Sequence, residues 1–304
     1  MDGVLVIDKP AGPTSHDMVD RVRRALRLRR VGHTGTLDPF ATGVLPLCLG
    51  KATRLARFLG AGEKVYEATV RLGFATSTDD LTGTPVTEIR AVELEEEEIR
   101  AGLARLEGSY DQVPPAYSAR RVGGRRLYEL ARRGEALPRP AKPVTVHAIR
   151  LLGLDGERLE VEVRCSPGTY VRALARDLGA DLGPGGHLIA LRRTRSGSFG
   201  LEHSVSGDDL AEARERVIPL RELLPELPAV RVGEAGRRLV EHGRDLGRAS
   251  TLNGFPEGQA VRVRILDESG ALLALGVPRA TGAGGSSPPV EPVLHPEVVL
   301  VGEH

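Results

Sequence analysis

The sequence predicts an α+β fold: a mixed, largely antiparallel sheet flanked by helices, followed by a small C-terminal β-barrel. Three observations carry that expectation. Alternating apolar stretches recur along the chain without a regular strand-helix-strand repeat, which argues against a doubly wound α/β fold. Amphipathic helical stretches stand between them. From about Leu227 the texture changes to short strands and turns, with no internal repeat.

The elements follow in order. "GVLVIDKP" (3–10) reads as a short buried strand stopped by Pro10. "TSHDMVDRVRRAL" then starts a helix, with Thr14 or Ser15 as N-cap and Asp17 in its first turn. Met18, Val22 and Leu26 fall at helical spacing, which leaves Arg23, Arg27 and Arg30 on another face. "KVYEATVRLG" (64–73) alternates like a half-buried strand, with Tyr66, Ala68, Val70 and Leu72 on one side. "VELEEEEIRAGLARL" is an amphipathic helix. "RLEVEVRCS" (158–166) alternates again, "YVRALARDLGADLG" is a helix ended by glycine, and "HLIALRRTRSGSF" reads as a strand. Beyond Leu227, "AVRVGEAGRRLVEHGRDLGRASTLNG" gives a strand, a helix and a turn. "QAVRVRILDESGALLALGVPRA" reads as a hairpin turning at Asp267 to Gly270, and "HPEVVLVG" is a last strand after the Gly/Ser/Pro-rich loop 281–289. The expected domains are therefore 1–226 and 227–304.

Composition narrows the function classes. The net charge of +1 argues against a protein that coats nucleic acid indiscriminately, yet the charge is unevenly spread. "DRVRRALRLRR" (20–30) holds six arginines, residues 117–150 hold nine basic side chains against two acids, and "ELEEEE" (93–98) compensates. Guanidinium suits bidentate phosphate contacts. No apolar run approaches the roughly 18 residues of a membrane-spanning helix, and "MDGVLVIDKPAGPTSHD" does not read as a signal peptide. Cys48 and Cys165 stand far apart among apolar neighbours, so they read as buried thiols in a reducing cytoplasm.

One stretch asks for an explanation. "VGHTGTLDPFATGVLPLCLGKATR" (31–54) holds a single carboxylate, Asp38. A phosphate-binding loop fails, because Leu45 and Ala52 stand where Gly and Ser/Thr are needed. A zinc site fails because His33, Asp38 and Cys48 have no recurring ligand spacing. Glycoside hydrolysis normally uses two carboxylates, and one is offered. A plain turn, with Asp before Pro, stays open on the local residues alone. Gly32, Gly35, Thr34 and Thr36 suggest a backbone shaped around something.

The stretch resembles the central motif of the bacterial tRNA pseudouridine synthase B family. Four further segments are similar to that family's motifs in order: "DKPAGPTSHD", "KVYEATVRLG", "CSPGTYVRALARDLG" and "LIALRRTRSGSF". The C-terminal region resembles a PUA domain, an RNA-binding barrel. No matched position is substituted. The resemblance implies the pseudouridine synthase fold and a catalytic Asp38, which acts on a uridine flipped out of tRNA. It implies a stacking face at Tyr66, a pocket wall at Tyr170, a charge partner for Asp38 at Arg172 and a cover over the base at Leu191. His33 would enter the RNA loop and keep the base out, and Lys9 would support the pocket. Breaking N1–C1′ and joining C5 to C1′ neither adds nor loses atoms. No cofactor or metal is therefore expected, and a lone Asp suffices because the leaving base is the next nucleophile.

The implied partner is tRNA. The stretch 114–143 resembles the family's insertion that closes over the T-arm, and the PUA-like region would grip the acceptor stem. The expected function is conversion of uridine 55 in the T-loop to pseudouridine by a cytoplasmic monomer that needs no protein partner. Two alternatives are a guide-RNA-dependent pseudouridine synthase of the same fold and a tRNA-binding folding chaperone. The insertion argues for the stand-alone type.

Overall fold

The computed structural model describes residues 1–117, 121–122, 125–126, 139–255, 262–280 and 292–302. Most of the expected insertion 114–143 and the whole loop 281–289 lie outside the described residues.

Eleven strands form the main sheet. The N-terminal half contains β1 (Gly3–Lys9), β2 (Val31–His33) and β3 (Thr42–Leu49). The other half contains β4 (Lys64–Leu72), β5 (Gly108–Gln112), β6 (Lys142–Asp155) and β7 (Arg158–Cys165). Next come β8 (Gly186–Ser196), β9 (Phe199–Gly200), β10 (Ser204–Ser206) and β11 (Ile218–Pro219). The spatial order is β10-β1-β3-β8-β4-β7-β6-β5, with β2 on β3, β9 on β8 and β11 on β1. Pairing is antiparallel except between β1 and β10 and between β3 and β8. The β3–β8 join consists of two residue pairs, Arg192 with Thr42 and Arg193 with Gly43, whereas β8 runs along all of β4. Gly43 has φ near 101°, and a Cβ there would strike the Arg193 carbonyl, so glycine permits the join.

The continuous apolar runs of β1 and β3 are explained by burial on both faces. Leu5, Ile7, Leu45, Leu47 and Leu49 enter a core shared with the helices. Val4, Val6, Val44 and Cys48 enter a second core on the other face. Helices α1 (Ser15–Leu26), α2 (Glu96–Arg105) and α3 (Val171–Leu182) contribute to the first core. Thr14 is the N-cap of α1: its hydroxyl accepts from the Asp17 amide at 3.1 Å, while the Asp17 carboxylate accepts from the Thr14 amide at 2.8 Å. Arg23, expected on another face than Met18, Val22 and Leu26, pairs with Asp20 at 2.8 Å and donates to the Val31 carbonyl at 3.0 Å.

The C-terminal region forms a four-stranded sheet in the order β12 (Ala229–Arg231), β13 (Val263–Leu266), β14 (Leu272–Ala280) and β15 (Pro292–Val299). The expected hairpin is present between β13 and β14, with Gly270 at φ near 84° in the turn. Among the described residues this sheet is open. Its two faces are covered differently. Val263, Ile265 and Leu273 pack with Val240 of α4 (Glu234–Glu241), while Leu266, Leu272 and Leu275 join Val4 and Val44 in the second core. The C-terminal sheet is thus packed onto the main one. Burial pushes the Cys48 thiol up to about 12 and the Cys165 thiol up to about 11, as expected of cysteines used as small apolar side chains.

Candidate active site

A cavity of about 300 Å³ opens where the two halves of the main sheet meet. Its lining brings together Asp38, Tyr66, Tyr170, Arg172 and Leu191, five residues spread over more than 150 positions of sequence. Asp38 is the sole carboxylate among the described lining residues. Lys9 and His33 lie outside the lining.

The loop carrying Asp38 is held at nearly every residue. The Thr34 amide donates to the Pro46 carbonyl at 3.1 Å. Arg193 donates to the carbonyls of Gly35 at 3.1 Å and Thr36 at 3.4 Å. The buried Ser15 hydroxyl donates to the Leu37 carbonyl at 3.1 Å and accepts from the Leu37 amide at 2.8 Å. The Pro39 carbonyl accepts from Lys9 Nζ at 3.1 Å and from the Gly12 amide at 2.8 Å. Asp38 does also close a turn, its carbonyl accepting from the Ala41 amide at 3.1 Å, but its carboxylate is free for another use. Lys9 is fully buried and works from behind the wall; burial lowers its pKa to about 8. Ser15→Ala would strand both polar groups of Leu37, so we expect a loss of about 1–3 kcal/mol, read from the denaturant midpoint.

Arg172 is the electrostatic hub. Its Nη2 donates to Asp38 Oδ1 at 3.0 Å, and Nε lies 2.9 Å from Oδ2 but off the hydrogen-bond axis. Nη1 pairs with Asp80 at 3.2 Å and donates to the Thr78 carbonyl at 3.1 Å, and Nη2 also reaches the Tyr117 carbonyl at 3.0 Å. Asp80 is itself oriented by the Thr78 hydroxyl at 2.6 Å and by Thr82 through hydroxyl at 2.6 Å and amide at 2.9 Å. Burial pushes the Asp38 carboxyl above its usual range; Arg172 opposes that shift, Asp80 adds to it and Lys9 opposes it. About a third of the Asp38 side chain still faces the cavity, so it is both perturbed and reachable.

Tyr66 sits at the core-facing side of β4, directly across from Arg193 on β8, and burial raises its pKa. Tyr170 is fixed by Gln112, whose Oε1 accepts from the Tyr170 amide at 2.8 Å and whose Nε2 donates to its carbonyl at 3.2 Å. Burial lowers the His33 pKa, helped by Arg193 and His16, which favours a neutral ring, and its Nδ1 is buried without a partner among the described residues. Among the described residues, no three His, Cys, Asp or Glu side chains are placed to hold a metal ion.

Lys64, Asp80, Gln112 and Arg193 are further site residues that the motifs do not name, and Ser15, expected only as a helix cap, is another. For Lys64 and Arg193 a signal existed. Each shares the inward face of an alternating strand, two residues from Tyr66 or Leu191, where a cation is out of place.

Two family models match the chain: the TruB family pseudouridylate synthase N-terminal domain over residues 23–171 and the tRNA pseudouridylate synthase B C-terminal domain over 172–227. The tRNA pseudouridine synthase B of Thermobifida fusca is 47% identical over 298 residues, covering 95% of this chain and 97% of that protein. This chain belongs to the TruB family of pseudouridine synthases. The Mycobacterium avium tRNA pseudouridine synthase B is 54% identical over 69% of each chain. Among solved structures, a Cbf5-Nop10-Gar1 complex contains a chain 28% identical with a TM-score of 0.73; the match covers 98% of this chain and 85% of that one. An H/ACA RNP bound to a substrate RNA containing 2′-deoxyuridine gives 27% and 0.72, over 99% and 85%. The mixed antiparallel sheet is the fold those chains share. No helix among the described residues is long and apolar enough to cross a membrane.

Proposed function

We propose that this chain converts uridine 55 in the T-loop of tRNA to pseudouridine, acting in the cytoplasm as a monomer without guide RNA or protein partner. The observation that carries the chemistry is the lone carboxylate: Asp38 is pinned on a braced loop, paired with Arg172 and exposed into the cavity. That arrangement suits one group acting at one carbon. Among the described lining residues no second acid stands ready to deliver water, which suits an isomerase.

A base stacked in RNA cannot enter such a cavity unless it is flipped. Tyr66 offers an aromatic face, Leu191 covers the base, and Tyr170 walls the pocket. Asp38 acts at the sugar, attacking C1′ or taking the 2′ hydrogen, and Arg172 keeps it ionised and aimed. The phenol of Tyr66 is the candidate for handling the C5 proton. His33, outside the pocket on β2, props the RNA loop open, and Lys9 braces the loop from behind. The C-terminal sheet, the region from 227 onward, positions the acceptor stem, and the basic stretch 114–143 grips the T-arm. High identity to proteins named tRNA pseudouridine synthase B supports this reading over the guide-dependent one.

The purified protein alone, given a tRNA transcript labelled with tritium at uridine C5, is expected to release one tritium per tRNA. Release only when guide RNA or a second protein is added overturns the stand-alone reading. Tight binding with no release under any addition points to a chaperone.

A further inference from the structure

Three cations are buried around the cavity without a carboxylate within ion-pair distance among the described residues: Lys9, Lys64 and Arg193. Arg193 is already taken up, by the carbonyls of Gly35, Thr36 and, from Nε, Val44 at 2.7 Å, and by the Tyr66 side chain. Lys9 lies behind the wall. Lys64 is different. It lines the cavity on the same face of β4 as Tyr66, and its Nζ donates to the carbonyls of Gly62 at 2.8 Å and Gly60 at 3.1 Å. An ammonium has three N–H groups, so among the described residues one is left without an acceptor and can serve a ligand in that cavity. Burying an unpaired charge costs several kcal/mol, which a structural clamp on two carbonyls does not require.

Resting on the reading above, we infer that Lys64 is a further catalytic residue, whose ammonium stabilises the negative charge on the departing base. When N1–C1′ breaks, its electron pair stays with the base as an anion shared among N1, O2 and O4. The pair returns when C5 bonds to C1′, and the C5 proton ends on N1, so atoms and electrons balance. The charge exists only between those two bond changes, and a fixed cation acts on it with little reorganisation. The requirement holds whether Asp38 attacks C1′ or removes the 2′ hydrogen, because the base leaves with the pair either way. Arg193, across the strand pair, adds to the positive field. Burial and Arg193 lower the Lys64 pKa to about 8, the neighbouring Cys165 opposing, so the group stays largely protonated at neutral pH.

The test separates charge from structure. Lys64→Gln keeps donors for the Gly60 and Gly62 carbonyls and removes the charge; Lys64→Arg keeps the charge. Single-turnover rates are measured on one tRNA carrying uridine or 5-fluorouridine at the target, following loss of the N-linked nucleoside. Fluorine stabilises the base anion, so that substrate needs the cation less. We expect Lys64→Gln to slow uridine by about 10²-fold and 5-fluorouridine by clearly less, with tRNA affinity within about threefold. Lys64→Arg should retain most of the rate and the wild-type ratio between substrates, which is the readout if the Gln variant fails to fold. Equal slowing of both substrates by Lys64→Gln, no slowing at all, or an Arg variant with an altered ratio overturns the assignment. A wild-type protein that leaves the N-linked uridine intact overturns the isomerase reading itself.

Discussion

Asp38→Asn is expected to bind tRNA with affinity within about threefold of wild type and to form less than about one percent of its product. That residual corresponds to at least about 2.7 kcal/mol of lost transition-state stabilisation. Binding survives because the loop is held through the backbone on either side of Asp38, at Leu37 by Ser15, at Pro39 by Lys9 and Gly12 and at Gly35 by Arg193, and not through the Asp38 carboxylate. Folding survives for an electrostatic reason. Burial raises the Asp38 pKa, so the ionised form is the one the folded state disfavours, and that cost grows as pH rises through the raised pKa. A neutral Asn avoids it. The melting temperature of the variant should therefore equal or exceed that of wild type near neutral pH, and a rate measured by single turnover isolates the chemical loss.

Arg172→Met is expected to hurt both rate and stability. The guanidinium is 4% exposed and joins Asp38 and Asp80. Removing it leaves two carboxylates near each other without their shared cation, which should cost about 3–5 kcal/mol of stability. The remaining folded protein should turn over at least about 10²-fold more slowly, since Asp38 is neither aimed at the sugar nor held ionised. The pH profile carries the sign. Arg172 pulls the Asp38 pKa down against burial, so its loss lets that pKa rise. In wild type the acid limb of kcat/KM should lie above the ordinary carboxylate range, and in Arg172→Met it should move to still higher pH. A limb that stays in place, or moves down, would remove Arg172 as the group that keeps Asp38 ionised.

How much of this was legible in the sequence depends on which physical signal each residue emits. Helices α1 and α3 and strands β4 and β7 show their period directly, because one face of each is buried and the other is wet. Strand β6 does not. Most of its residues are partly or fully exposed, and its register with β7 shifts twice, so no alternation is written into Lys142–Asp155. The first residues of β6 were instead read as the end of a basic insertion. Strand β5, next to it at the sheet edge, is hidden for the same reason.

The site divides along similar lines. Asp38, Tyr66, Tyr170, Arg172 and Leu191 were named from ordered motifs, and the fold brings all five to one cavity. Asp80 and Gln112 emit no local signal, because their meaning lies in partners 92 and 58 residues away. Ser15 was legible as a helix cap, yet Thr14 takes that role and Ser15 braces Leu37 instead. The barrel expected at the C-terminus follows from counting short strands. Counting does not show that Leu272 and Leu275 face the main sheet, where they share a core with Val4 and Val44.

The most direct measurement is a site-mapped pseudouridine assay on an unmodified tRNA transcript, comparing the purified protein alone with Asp38→Asn. Pseudouridine at position 55 and nowhere else, made by wild type and absent with the variant, is the expected result. Product at 55 from Asp38→Asn, or none from wild type until a guide RNA is supplied, would contradict a stand-alone enzyme built on one carboxylate.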